Sequence, residues 1–196
     1  MGAPVACGGD LEGPQALVLA STSPQRRAIL EQLGLPFEVV EPRYEERGED
    51  PVEHAAGKAR SVDGAGRPVV GVDTIVVCGG LRLGKPLGAE EAAEMLGALS
   101  GRTHEVISGL CLRGPGWEEL AEERTRVTFR ALTARDVAVY VATGEWRDRA
   151  GAYAIQGRGA SLVERIEGDY LNVVGLPAAL LVSLLAKRFP GSYGYG

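Results

Sequence analysis

Residues 68–83 read PVVGVDTIVVCGGLRL, and this stretch decides between two kinds of sheet. The apolar run 68–77 reads as a long buried strand, Gly79-Gly80 as a tight turn, and LRL as a returning strand. Strand, Gly-Gly, strand is a hairpin pattern, which forces antiparallel pairing. Upstream the pattern differs. ALVLA (16–20) is a short apolar run that meets helix-start signals at once, Ser23 in the cap position and Pro24 in the first helical position. Gly34 ends that helix, and FEVVE (37–41) alternates as a second strand. Strands thus alternate with helices first and pair as hairpins later. This predicts an α/β protein with a mixed sheet flanked by helices, not a strictly parallel doubly wound fold.

Further along, 41–51 is a charged loop, 52–62 a helix, 89–99 a helix stopped by Ser100-Gly101, and 104–114 a strand ended by Gly-Pro-Gly. In 120–132, Arg124, Arg126, Thr128 and Arg130 alternate with Thr125, Val127 and Phe129, so one face is wet and one dry. Thr133 caps another helix, 151–166 mixes a Gly-rich loop with a strand, and 175–189 is a final helix with Pro177 near its start. No internal repeat or long linker is present. Residues 1–15 read as a flexible leader, 16–189 as a single domain whose lobes, if there are two, share the sheet, and 190–196 as a tail expected to be dispensable for stability.

The 196 residues are 45% hydrophobic and 24% charged, ordinary values for a globular chain with a real core. Net charge is −5, which argues against a nucleic-acid binder but leaves room for a local basic pocket. No apolar run reaches the about 18 residues needed to span a membrane, and the first 15 residues lack a secretory pattern. Cys7, Cys78 and Cys111 are odd in number and form no CxxC, which points to a reduced, cytoplasmic setting.

Four features bear on chemistry. The first is the helix start LASTSPQRRAIL (19–30), where Arg26 and Arg27 stand in the first turn, the positive end of the helix dipole. Free backbone N–H groups and the hydroxyls of Ser21 and Ser23 make the same place an anion site, for which Arg26 would be the counterion; two arginines reaching solvent is the alternative. The phosphate loops GxxxxGK[ST] and GxGxxG are absent. The second is Asp73, a carboxylate inside an apolar strand, on the face of Gly71, Ile75 and Val77, with Thr74 on the other face. Such an acid is costly unless paired or metal-bound. The third is lysine usage: Lys58, Lys85 and Lys187 are all the lysines among many arginines, which suits either a need for compact charge or coding bias. The fourth is the acidic loop with Glu45, Glu46, Glu49 and Asp50, which can supply an oxygen ligand to Mg²⁺ or simply be solvated. His54 and His104 show no metal spacing. Together these features are a kit for metal-assisted chemistry on a nucleotide or other polyphosphate, not for acyl transfer.

The segments LASTSPQRRAIL (19–30), YEER (44–47), GKARSV (57–62), GVDTIVV (71–77), LGKP (83–86), LGALSGRTHEVISG (96–109), AGAYAIQGRGA (150–160) and IEGDYLNVVGLP (166–177) occur in that order. In them the chain resembles the Maf family of nucleoside triphosphate pyrophosphatases. The resemblance implies a two-lobed fold, similar to that of inosine triphosphatases, with a central cleft and a homodimer. It implies hydrolysis of a nucleoside triphosphate between the α- and β-phosphates with Mg²⁺ or Mn²⁺. Asp73 matches the catalytic acid, although Val72 replaces the usual Ala. Ser21, Arg26, Lys58 and Lys85 match the phosphate-binding positions, Glu46 joins Asp73 at the metal, and Gln156 faces the base. Thr74 and Gln156 match the dTTP/UTP subgroup. Gln25 departs from it: that subgroup carries Arg at this base-selecting position, and the 7-methyl-GTP subgroup Trp. Family members have also been linked to arrest of septum formation, so a division-related protein that senses nucleotides is the alternative function.

Overall fold

A computed structural model describes residues 15–195. The leader expected over 1–15 therefore lies outside the described residues, apart from Gln15. The elements are β1 (Leu17–Ala20), α1 (Pro24–Gln32), β2 (Phe37–Val40), α2 (Pro51–Arg60), β3 (Val69–Cys78), β4 (Leu81–Leu83), α3 (Ala89–Leu99), β5 (Thr103–Gly114), β6 (Trp117–Phe129), α4 (Ala134–Thr143), β7 (Val163–Glu167), α5 (Tyr170–Val174) and α6 (Ala178–Arg188). The seven strands form one sheet in the order β2-β1-β3-β5-β6-β7, with β4 paired to β3. β1 runs parallel to both β2 and β3. All remaining pairs, β3 with β4 and β5, β5 with β6, and β6 with β7, are antiparallel. The switch from parallel to antiparallel occurs at β3, the strand whose hairpin turn the sequence marks.

Burial follows from this position in the sheet. All four side chains of β1 are fully buried, as expected of a strand between two parallel neighbours with helices on both faces. β6 instead alternates, and Thr125, Val127 and Phe129 are its buried side chains. The apolar interior gathers in three clusters. One joins Leu17, Leu19, Val70, Val72, Leu110 and Leu112 to α1 and α6. A second joins Val18, Ala20, Val69 and Cys111 to Ala55, Ala56 and Ala59 of α2. A third joins Val76, Cys78, Val106, Val127 and Phe129 to α3 and Tyr140 of α4. β3 and β5 thread more than one cluster, and Asp73 and Thr74 fall between the segments of β3 that belong to different ones.

Three local differences from the sequence reading have physical causes. The final helix begins at Ala178, because Gly175 takes φ 135° and Pro177 sits at the cap. The short helix α5 was not expected; Asp169 caps it by accepting from Leu171 N at 2.8 Å, and Asn172 ties it to the sheet through the Val106 carbonyl and Thr125 Oγ1. The tail is packed where a dispensable segment was expected. Tyr193 is buried and its hydroxyl donates to the Gln15 carbonyl at 2.8 Å, while Tyr195 donates to the Leu33 carbonyl.

Candidate active site

The chemistry-bearing residues meet because α2 lies unusually close to the sheet. A Cβ on Gly71 of β3 would collide with the Ala55 carbonyl oxygen, and one on Gly109 of β5 with the Pro51 carbonyl. Asp73 pairs with Gly109 in the β3–β5 register, so both glycines flank the acid on the helix-facing side. The close approach lets α2 deliver two side chains one turn apart, His54 and Lys58, onto Asp73. Asp50 starts this helix as its cap, accepting from Val52 N at 2.8 Å.

Asp73 is 6% exposed. Its Oδ1 accepts from Lys58 Nζ at 2.6 Å, and its Oδ2 lies 3.4 Å from His54 Nδ1. Lys58 also holds Glu46 Oε1 at 2.6 Å, so one ammonium bridges two carboxylates. Glu46 arrives on the loop after β2, which is laid against α2. The Tyr44 ring occupies the space a side chain at Gly57 would take, Arg43 N donates to Ser61 Oγ at 3.1 Å, and the Arg47 carbonyl oxygen lies 3.2 Å from His54 Nε2. Of the acids in that loop, Glu46 is the one that reaches the site among the described residues; Asp50 caps α2 and Glu45 pairs with Arg47 in solvent.

The helix start at Ser23-Pro24 resolves into a different division of labour from the one the sequence suggests. Ser23 occupies the cap position but its hydroxyl does not cap; it donates to Gln25 Oε1 at 3.1 Å. Ser21 Oγ accepts from Ser23 N at 3.2 Å and from Arg26 Nη1 at 3.0 Å. Arg26 Nε donates to the Gly175 carbonyl at 3.0 Å, and Nη2 reaches Thr74 Oγ1, which is bonded to Ser108 Oγ at 2.8 Å. Burial lowers the Arg26 pKa from its ordinary value, against the opposing pull of Asp73 and Glu46. Arg27 points outward and pairs with Glu31.

These groups line one cleft of about 840 Å³. Ser21, Gln25, Arg26, Glu46, Lys58, Asp73, Thr74 and Lys85 all border it. Gln156 does not. It borders an adjoining pocket of about 340 Å³, between α1 and α5, that shares Gln25 and Val174 with the cleft. The cleft also holds residues the sequence did not single out: Arg82, Arg147 and Arg149. Six cationic side chains thus face three carboxylates, Glu46, Asp73 and Asp148, a local positive surplus in a chain of net charge −5. Burial lowers the pKa of Arg149, and its Nε has no partner among the described residues. A small volume rich in positive charge with a buried acid at its base suits a polyphosphate.

His54 is the other residue missed. Its ring, with Glu46 and Asp73, offers three ligand atoms within 4.8 Å of one another. Two carboxylates and an imidazole fit a divalent cation by chemistry, with Lys58 taking one oxygen of each acid and leaving the other free. The sequence carries one weak signal of this: His54 and Lys58 are four apart and share a helix face.

Comparison with known proteins agrees with the resemblance. The family described as Maf-like protein matches residues 16–188. A protein of Nitratidesulfovibrio vulgaris named dTTP/UTP pyrophosphatase is 49% identical over 191 residues, covering 92% of this chain and 91% of its own. One of the same name from Moorella thermoacetica is 52% identical over 184 residues, covering 87% and 93%. Another from Pyrococcus furiosus is 44% identical over 179 residues, covering 86% and 93%. A family match over nearly the whole described chain, on a mixed sheet that gathers the motif residues around one cleft, places this chain in the Maf family.

Proposed function

We propose that this chain is a nucleoside triphosphate pyrophosphatase that cleaves dTTP or UTP to the nucleoside monophosphate and pyrophosphate. The observation that carries the reading is the convergence of Asp73, Glu46, Lys58 and Arg26 on one cleft of positive surplus. The names of relatives about half identical over most of their length support the pyrimidine substrates. In this reading Asp73 accepts the proton of a water that attacks the α-phosphorus, as the bond to the bridging oxygen breaks and pyrophosphate leaves. Lys58, Arg26 and Lys85 hold the phosphates and balance the charge that grows on the leaving group. Glu46 and Asp73 would hold a divalent cation, Mg²⁺ or Mn²⁺, which when bound polarises phosphate oxygens. Gln156 and Gln25, whose amides donate and accept, face the base from the adjoining pocket. The working unit is one two-lobed domain over 16–189, a homodimer in the cytoplasm; light scattering that returns the mass of a single chain would overturn the dimer. Among the described residues no helix is long and apolar enough to cross a membrane.

The test is a panel of ATP, GTP, CTP, UTP, dTTP, 7-methyl-GTP and inosine triphosphate with either metal, scoring pyrophosphate and orthophosphate separately. Pyrophosphate from UTP and dTTP, lost in Asp73→Asn, is the expected result. Release of orthophosphate alone, or no release from any nucleotide, overturns the reading.

A further inference from the structure

We infer that His54 is a nitrogen ligand of the divalent cation, which makes this a site for a first-row transition ion such as Mn²⁺ in preference to Mg²⁺. The inference rests on the pyrophosphatase reading of the same cleft and adds to it a ligand and a choice of metal.

His54 is 1% exposed, so each ring nitrogen must be accounted for within the protein. Nε2 lies 3.2 Å from the Arg47 carbonyl oxygen, which only accepts, so in the neutral ring this contact calls for the proton on Nε2. Nδ1 is then a lone pair, and it faces two more acceptors, Asp73 Oδ2 at 3.4 Å and Glu46 Oε2 at 4.0 Å. The other tautomer moves the mismatch to Nε2 and the Arg47 carbonyl; a second ring proton removes it in the metal-free protein, and a dication takes the place of that proton on Nδ1. The nearby ammonium does not cure it, since Lys58 Nζ is directed at the opposite oxygens, Asp73 Oδ1 and Glu46 Oε1. The two buried groups and the exposed Glu46 carboxylate, aimed at one another, repel unless a positive centre, a proton or a cation, joins them. A dication bound by Nδ1, Oδ2 and Oε2 satisfies all three at once. The Arg47 carbonyl then plays the part that backbone carbonyls play behind metal-bound histidines: it fixes the tautomer and orients the ring. Imidazole nitrogen raises affinity along the first-row series, least for Mn²⁺ and more for its heavier neighbours, whereas Mg²⁺ is satisfied by oxygen and water alone.

The experiment uses the full chain, grown with natural or ¹⁵N-labelled histidine and loaded with Mn²⁺, read by pulsed electron paramagnetic resonance. A histidine nitrogen coupling that changes isotope with the label, and that disappears in His54→Leu, is the expected result. Mn²⁺ affinity should fall at least about tenfold in that variant, the size that losing even an outer partner of a ligand costs, with Mg²⁺ affinity changed far less. Bound Mn²⁺ without a histidine coupling, coupling that survives the substitution, or no Mn²⁺ bound at millimolar concentration would each overturn the inference. If His54→Leu fails to fold, His54→Gln and the labelled parent protein still decide, because the other histidine, His104, is packed against Phe129 and Tyr153 in a separate cluster. Pyrophosphate release with Mg²⁺ from the same preparations keeps the two readings apart. Release without the coupling overturns the ligand alone; coupling without release from any nucleotide upholds the ligand and overturns the reaction.

Discussion

Arg26 stands in the first turn of a helix whose dipole opposes it, and its partners explain why it stays. It is held by the Gly175 carbonyl, Ser21 Oγ and Thr74 Oγ1 at the wall of the cleft, so a phosphate bound as proposed would meet a pre-oriented guanidinium. Arg26→Ala should raise KM tenfold or more, since one charged hydrogen bond is worth about 1.5–3 kcal/mol, with little change in melting temperature; unchanged kinetics would remove Arg26 from the phosphate site. At the same scale, Asp73 was legible in the sequence because an acid stands out inside an apolar strand. His54 was not: its place beside Asp73 depends on a helix pressed onto a neighbouring strand, which no spacing along the chain expresses. His104 illustrates a buried histidine with a structural role. Burial pushes its pKa down to about 4, and Nδ1 has no partner among the described residues to receive a second proton's hydrogen bond. The unfolded chain protonates near 6.5, so the contribution of His104 to stability is complete above that pH and is lost as pH falls toward 4. The loss should reach roughly 3 kcal/mol at about 1.4 kcal/mol per unit. Melting curves between pH 7 and 4.5 should therefore fall more steeply for the parent protein than for His104→Gln, and equal slopes would contradict the assignment.

At the scale of elements, the site depends on how thin the layer between α2 and the sheet is. Gly71 and Gly109 are required there by close approach, not by backbone conformation. Gly71→Ala forces the helix outward, carrying Lys58 and His54 with it. A displacement near 1 Å can cost about 100-fold in rate, so kcat should fall by about that factor along with the melting temperature. Gly97 in α3 gives the contrast, since among the described residues nothing beyond its own helix backbone and chain neighbours lies within 4 Å of its missing Cβ. Gly97→Ala should leave activity intact and stabilise the helix by about 0.5–1 kcal/mol. If the two substitutions behaved alike, the close-packing account of the site would fail. The helices and the hairpin were readable because caps, breakers and period are local signals. α5 was not, being five residues long and held in place by Asn172 and Thr125 across the sheet.

For the whole molecule, the mixed sheet could be read from one hairpin turn and one strand–helix–strand run, but the strand order could not. It depends on β1 inserting between β2 and β3, and on β3 and β5 passing through more than one apolar cluster. The cleft that results gathers residues from positions 21 to 174, which explains why Arg82, Arg147 and Arg149 gave no warning. The packing of the tail was not legible for a related reason: Gly and Ser in SYGYG suggest looseness, whereas the two tyrosines pack on the first cluster beside Phe189.

The bond from Tyr193 to Gln15 has a consequence for how the chain could be rewired. It makes the segment leading into β1 and the segment after α6 neighbours in space, within the reach of one tyrosine side chain. A circular permutant that joins Tyr195 to Gln15 by a short Gly-Ser linker, and opens instead at the exposed Pro115-Gly116 turn between β5 and β6, keeps every strand pair and every cleft residue. It should fold, melt close to the parent protein and release pyrophosphate at a similar rate. A permutant that failed to fold would mean that the native order of synthesis, with β1 made first and the tyrosines last, is itself part of how this sheet is assembled.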